Sequence, residues 1–271
     1  MINVGQDLLN QHQMINFNAR YIKNFIRTMC RSFGIEITRY APDTNPTLQV
    51  RAALDHAKVN IVFDIGANDG GFGKELRSVG FCGKIVSFEP LTKAHRKLSI
   101  SSEKDSKWLI HSRVAIGDHN GEIEINVARN SVSSSILPML DAHSNAAVDS
   151  VYVSRERASL ATLDSLASQY LCSESRPFIK IDTQGYEWQV LDGAVETIKI
   201  AEGLLIELSL TPLYKGQRLW LEIIERLSKE NFSLWAIQKG FSDPRNGRLL
   251  QVDAVFMRRG GTRKSSVLSD L

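Results

Sequence analysis

Four acidic residues each end or follow a run of apolar ones. Asp64 follows Ile61-Val62-Phe63, Glu89 follows Ile85-Val86-Ser87-Phe88, Asp182 follows Phe178-Ile179-Lys180-Ile181, and Glu207 follows Leu204-Leu205-Ile206. Short continuous apolar runs of this kind read as strands buried on both faces of a parallel sheet. Ligands of such sheets bind beyond the carboxyl ends of the strands. Acids placed there converge on one edge, where a carboxylate can accept hydrogen bonds from ribose hydroxyls, face a cation or remove a proton. Each taken singly also reads as a helix N-cap or a turn residue.

The turn after the first run decides what the edge could hold. Gly66, Gly70 and Gly71 permit positive φ and close approach of backbone N–H groups to a ligand. Glu89, about 20 residues further on and followed by Pro90, is placed for a ribose. A dinucleotide loop needs Gly-x-Gly-x-x-Gly to seat a pyrophosphate, but Asn68 stands where its second glycine belongs and Asp69 adds negative charge. An acidic loop suits a ligand bearing an ammonium and a sulfonium, which describes S-adenosylmethionine. Asp64, Gly66, Asn68, Gly70, Glu89 and Pro90 are therefore the candidate cofactor residues.

These residues require alternating strands and helices to position them. The pattern predicts helices over 48–57, 71–79, 93–101, 163–170, 187–199 and 219–230. Strands are expected at 61–63, 85–88, 178–182 and 203–209, with a final hairpin of 232–237 and 252–257. A third strand and its exit are expected over 108–117, and the alternation of 122–128 and 151–158 reads as half-exposed strands. The whole implies an α/β fold, a doubly wound, mostly parallel seven-stranded sheet. The segment 130–150 has weak periodicity and reads as an insertion covering the cofactor or admitting the substrate. Expected boundaries are an N-terminal helical extension over 1–47, a main domain over 48–259 and a disordered tail over 260–271.

Composition sets outer limits. The 271 residues carry a net charge of +3, too little to argue for nucleic-acid binding unless the charge clusters. Outside the first helix Lys and Arg are dispersed, so a nucleic-acid partner is disfavoured. Cys30, Cys82 and Cys172 lie far apart with no metal-ligand spacing, and a reducing, cytoplasmic compartment is the simplest inference. No metal site is read from any spacing. Near the N-terminus, Ile22, Phe25, Ile26, Met29 and Phe33 recur at helical spacing beside Arg20, Lys23, Arg27 and Arg31. Such a basic amphipathic helix either packs on the main domain, the expected case, or makes peripheral contact with an anionic membrane.

With those residues in place, the chain resembles the FkbM family of S-adenosylmethionine-dependent methyltransferases. The motifs that carry the likeness are Val-Phe-Asp-Ile-Gly-Ala-Asn-Asp-Gly-Gly-Phe at 62–72, Phe-Glu-Pro at 88–90, Ala-Ile-Gly-Asp at 115–118 and Ile-Lys-Ile-Asp-Thr-Gln-Gly-Tyr-Glu at 179–187, extended by Glu207-Leu208-Ser209 and Leu213-Tyr214. Together they cover roughly residues 50 to 257. The resemblance implies a class I, Rossmann-like methyltransferase fold, S-adenosyl-L-methionine as cofactor, with Asp118 added to its binding residues, and methylation of an oxygen on a sugar, glycan or other small molecule. Asp69 departs from the small apolar residue common at that position.

Methyl transfer from a sulfonium is an in-line displacement, and an alcohol acceptor must also lose a proton. Asp182 is the first candidate for that base, with Glu207 and His119 next and Lys180 and Glu187 behind them; His119 reads more readily as a turn residue. Three other classes stay open from residues alone: a nicotinamide dehydrogenase, a non-catalytic cofactor-binding protein and a nucleic-acid methyltransferase. The acceptor and the oligomeric state are not written in the sequence.

Overall fold

A computed structural model describes residues 21–260. Arg20 and the expected tail from 261 onward lie outside the described residues. The chain divides between Asn45 and Pro46 into two compact units. In the first, α1 covers residues 21–32, and its last turn is closed by Phe33 and Ile35, whose N–H groups both donate to the Cys30 carbonyl. Arg31 then pairs with Glu36 at 2.7 Å.

The second unit runs α2 (Pro46–His56), β1 (Ile61–Ile65), α3 (Gly71–Ser78), β2 (Lys84–Phe88), α4 (Thr92–Ser102), β3 (Trp108–Ile110), β4 (Val114–Ile116), β5 (Gly121–Ala128), α5 (Asp141–Ala146), β6 (Tyr152–Ala161), α6 (Leu163–Ala167), β7 (Pro177–Ile181), α7 (Glu187–Asp192), α8 (Val195–Ile200), β8 (Gly203–Ser209), α9 (Trp220–Lys229), β9 (Phe232–Lys239) and β10 (Gln251–Arg258). Among the described residues these strands form a seven-stranded sheet, ordered β3-β2-β1-β7-β8-β10-β9, and a three-stranded sheet, β4-β6-β5. In the large sheet β3 to β8 are parallel neighbours, and the hairpin β9–β10 closes one edge antiparallel. Strand order reverses between β1 and β7, the switch point where such sheets bind ligands.

Both faces of the large sheet are covered, which is why its strands read as unbroken apolar runs. Phe63, Ile179, Ile181, Leu204 and Ile206 pack on one side with Val190, Ile198 and Ile223 from α7, α8 and α9. Val62, Ile85, Phe178 and Leu205 pack on the other with Leu54 from α2 and Leu76 from α3. Among the described residues, no helix is long and apolar enough to cross a membrane.

Two expectations change. The single strand expected over 108–117 is two strands in different sheets: β3 pairs with Ile85, Val86 and Ser87, whereas β4 turns away to run parallel to Ser159–Ala161 of β6. The helix expected over 187–199 breaks at Gly193, where a Cβ would stand 1.8 Å from the Gly117 carbonyl oxygen. A new helix then starts because the Asp164 carboxylate caps it, accepting from the N–H groups of Glu196 and Thr197 at 2.9 and 2.8 Å.

Candidate active site

Gly66, just past β1, has φ 72°, and a Cβ there would fall 1.9 Å from the Asp182 carbonyl oxygen. Only a glycine lets the loops after β1 and β7 touch in this way. The Gly66 and Ala67 N–H groups both donate to the Phe88 carbonyl, and Asn68 N–H donates to Glu89 Oε2 at 2.8 Å. Leu91 N–H donates to the other oxygen, Oε1, at 2.8 Å. Glu89 thus clasps the first loop to the end of β2. Burial pushes its carboxyl up to about 7 against the two N–H groups that oppose the shift.

Lys180 is the buried cation at the centre. Its ammonium lies 3.3 Å from Asp64 and 3.6 Å from Asp182, and it donates to the Gly66 carbonyl at 2.8 Å. Burial opposes its charge, but Asp64 and then Asp182 outweigh that, so its pKa is raised. Asp64 is fully buried and also accepts from the Ser87 hydroxyl at 3.0 Å. It lines neither cavity described below and shapes the site through Lys180. Gly70, at φ 88°, turns the loop against Trp108 and Leu98 and lines neither cavity as well.

Beyond β7, the loop 182–187 gathers polar groups. Glu187 Oε1 accepts from Thr183 N–H, Gly185 N–H and the Thr183 hydroxyl, and burial raises its pKa to about 7. Gln184 Nε2 donates to Asp182 Oδ1 at 2.9 Å and to Glu207 Oε2 at 2.8 Å. Gln251, on β10, donates to the same Glu207 oxygen at 2.6 Å. The Glu207 carboxyl is pushed well above the usual range, by burial first and then by Asp182, Glu187 and Asp253.

Two cavities meet at this edge. The first, about 350 Å³, runs from Gly66, Asn68, Glu89 and Pro90 past β4 to Asp182, Gln184, Glu207 and Gln251, under a cover formed by 130–136. The second, about 360 Å³, lies between the starts of α2 and α3 and includes Asp69, Lys180 and Asp253. Both touch Gly66, Asn68, Val132 and Asp182. Among the described residues no Lys or Arg lines the first cavity. His143 does, but burial lowers its pKa.

The structure thus brings together Gly66, Asn68, Glu89, Pro90, Asp182 and Glu207 from the sequence candidates. It does not bring Asp118 or His119. These sit on an exposed turn joining β4 to β5 of the small sheet, their side chains paired at 2.7 Å, because β4 has already left the large sheet. Gln184, Gln251, Asp253 and Tyr214 were not singled out from their chemistry. Gln184 and Tyr214 did fall inside quoted motifs, whereas nothing local marks Gln251 or Asp253, whose roles depend on the hairpin's register with β8. Among the described residues, no group of three or more His, Cys, Asp or Glu could hold a metal ion.

Comparison with known proteins adds a family. The model described as "Methyltransferase FkbM domain" matches residues 64–234. No curated protein matches the sequence. Similar solved structures include an rRNA methylase from Streptococcus thermophilus, 12% identical, with 79% of this chain and 97% of that one covered and a TM-score of 0.42. TehB from Haemophilus influenzae is 9% identical over 78% and 61% of the two chains, with a TM-score of 0.42. Sp1610 of Streptococcus pneumoniae, in complex with S-adenosyl-L-methionine, is 12% identical over 81% and 75%, with a TM-score of 0.43. At such distance none of these bears on the acceptor.

Proposed function

The chain belongs to the FkbM methyltransferase family, and from that premise we propose that it methylates a hydroxyl of a sugar, glycan or other small polyhydroxylated molecule. The family's cofactor, S-adenosylmethionine, supplies an electrophilic methyl group on a sulfonium. The residues present fit that group: Gly66, where a Cβ would strike the Asp182 carbonyl, lets the loops after β1 and β7 meet beside both cavities, and among the described residues carboxyls outnumber the one lysine, Lys180, in the lining. Glu89 would hold the ribose, since each carboxylate oxygen spends one lone pair on a backbone N–H and keeps another. Asn68 and Pro90 would flank the nucleoside, and Asp69 and Asp253 would face the ammonium end from the second cavity. Catalysis is assigned to the unit over 48–259.

Asp182 lines both cavities and is assigned the proton of the acceptor hydroxyl, with Glu207 beside it as the second carboxyl. The observation that carries the acceptor class is the polar part of the first cavity's lining: among apolar side chains such as Val114, Ile116, Ile125 and Phe241 stand carboxyls, amides and the serines of 130–136, with no Lys or Arg. Hydroxyl-bearing neutral molecules match such walls. A phosphodiester backbone needs cationic side chains near it, and the described lining supplies none, so a nucleic-acid acceptor is disfavoured. A screen with methyl-labelled cofactor over sugars, sugar nucleotides, lipid-linked glycans and RNA oligonucleotides tests this. Label in a neutral sugar or glycan supports the reading, and label confined to RNA refutes it.

A further inference from the structure

Gln184 is a non-glycine residue in the left-handed region, at φ 54°, a strained conformation that persists only where the surroundings over-determine it. Here every polar group of the residue's side chain is engaged. Nε2 donates to both Asp182 and Glu207, and Oε1 accepts from the Tyr214 hydroxyl at 2.7 Å. Its backbone carbonyl accepts from the Ser135 hydroxyl at 2.6 Å, which links it to the cover over the first cavity. We propose that Gln184 is a positioning residue: aimed by the Tyr214 hydroxyl, its amide nitrogen ties Asp182 and Glu207 into one carboxyl pair directed at the acceptor. The purpose of that pair rests on the methyl-transfer reading, whereas its tether is a property of the protein alone.

An amide can be inserted two ways, and here the wrong way is costly. A flipped Gln184 would set its carbonyl oxygen against two carboxyls, taking the amide donor from Asp182 and leaving Glu207 with Gln251 alone. Tyr214 is fully buried, and burial followed by the nearby Glu207 raises its pKa, so its hydroxyl keeps the proton and fixes Oε1 as the acceptor. On Glu207 the two amide donors, Gln184 and Gln251, converge on Oε2. Among the described residues Oε1 takes no hydrogen bond, and it is the oxygen left for an acceptor hydroxyl. The charged and titratable groups facing Glu207 are Asp182 past β7, Glu187 on α7, Asp253 on β10 and Lys180 on β7, with Tyr214 opposite. Three acids against one cation make the pair depend on amide donors.

The test needs no acceptor. Carboxyl carbons of the labelled full-length protein are titrated by NMR, and the Glu207 signal is assigned by its loss in Glu207→Gln. Gln184→Met keeps length and removes the donor; Tyr214→Phe removes the hydroxyl alone. The Glu207 midpoint should rise by about one pH unit in Gln184→Met and by less, in the same direction, in Tyr214→Phe. Loss of packing without loss of positioning would lower the melting temperature and leave the midpoint in place. If Gln184→Met does not fold, Tyr214→Phe decides alone, and an unmoved midpoint in the folded variant overturns the proposal. Calorimetry of the wild type with S-adenosylhomocysteine separates the two readings: no binding there would refute the cofactor site while the shifted midpoint would still establish the tether.

Discussion

Removing the Lys180 charge should be among the most damaging single changes in the second unit. Lys180→Met keeps the stem and deletes the ammonium. Asp64, with no exposed surface, would then retain only the Ser87 hydroxyl on one oxygen, and the other, which has no hydrogen-bond donor besides the ammonium 3.3 Å away, would be left uncompensated. Breaking a buried ion pair by removing one partner costs about 3–5 kcal/mol, a large part of the roughly 5–15 kcal/mol that holds a domain folded. At about 2–4 °C per kcal/mol for a chain of this size, the melting temperature should fall by roughly 6–20 °C. Urea denaturation at pH 7.5 measures the loss. The cause is tested by Asp64→Asn combined with Lys180→Met, which removes both charges and should recover about 2 kcal/mol or more relative to the sum of the single changes. A single-variant loss below about 1 kcal/mol, or strict additivity in the double variant, would mean that the Lys180 ammonium does not compensate the buried Asp64 charge.

Asp182→Asn keeps size and most hydrogen bonding but cannot take a proton, so turnover should fall roughly a hundredfold or more while calorimetric cofactor affinity persists; joint loss of both would make Asp182 a shaping residue instead. Stability should also depend on pH in a stated direction. Glu89 and Glu187 sit near 7 in the fold against 4.5 for an ordinary carboxyl, so between these values the folded state holds protons that the unfolded state has lost. Their contribution is complete below about 4.5 and disappears as pH rises through 7, by up to about 3 kcal/mol for each group. Calorimetric melting should therefore occur at higher temperature at pH 5 than at pH 8, and Glu89→Gln with Glu187→Gln should flatten the difference; a wild-type profile that rises with pH would contradict the assignment.

Much of this site was legible because it depends on local signals. The runs around Val62, Val86, Ile179 and Ile206 announce buried parallel strands, and the acids after them mark the edge where Glu89, Asp182 and Glu207 do meet. Asp64 follows the same rule by position, yet it sits within β1 rather than past its end, and the pleat turns its side chain to Lys180 instead of the cavity. Asp118 entered through the family motif at 115–118 and His119 as a possible base, and both follow an apolar run that belongs to a second sheet no local pattern distinguishes. Gln251 and Asp253 reach the site through antiparallel register across β8. That register is set by packing over forty intervening residues and is invisible in either segment alone.

Whether the edge around Glu89 holds S-adenosylmethionine is tested most directly by titration calorimetry of wild type and Glu89→Ala with the cofactor. The wild type should bind saturably and the variant should lose about 1.5–3 kcal/mol, the worth of hydrogen bonds to a charged group. Equal affinity in the two proteins, or no binding by the wild type, would contradict a cofactor site there.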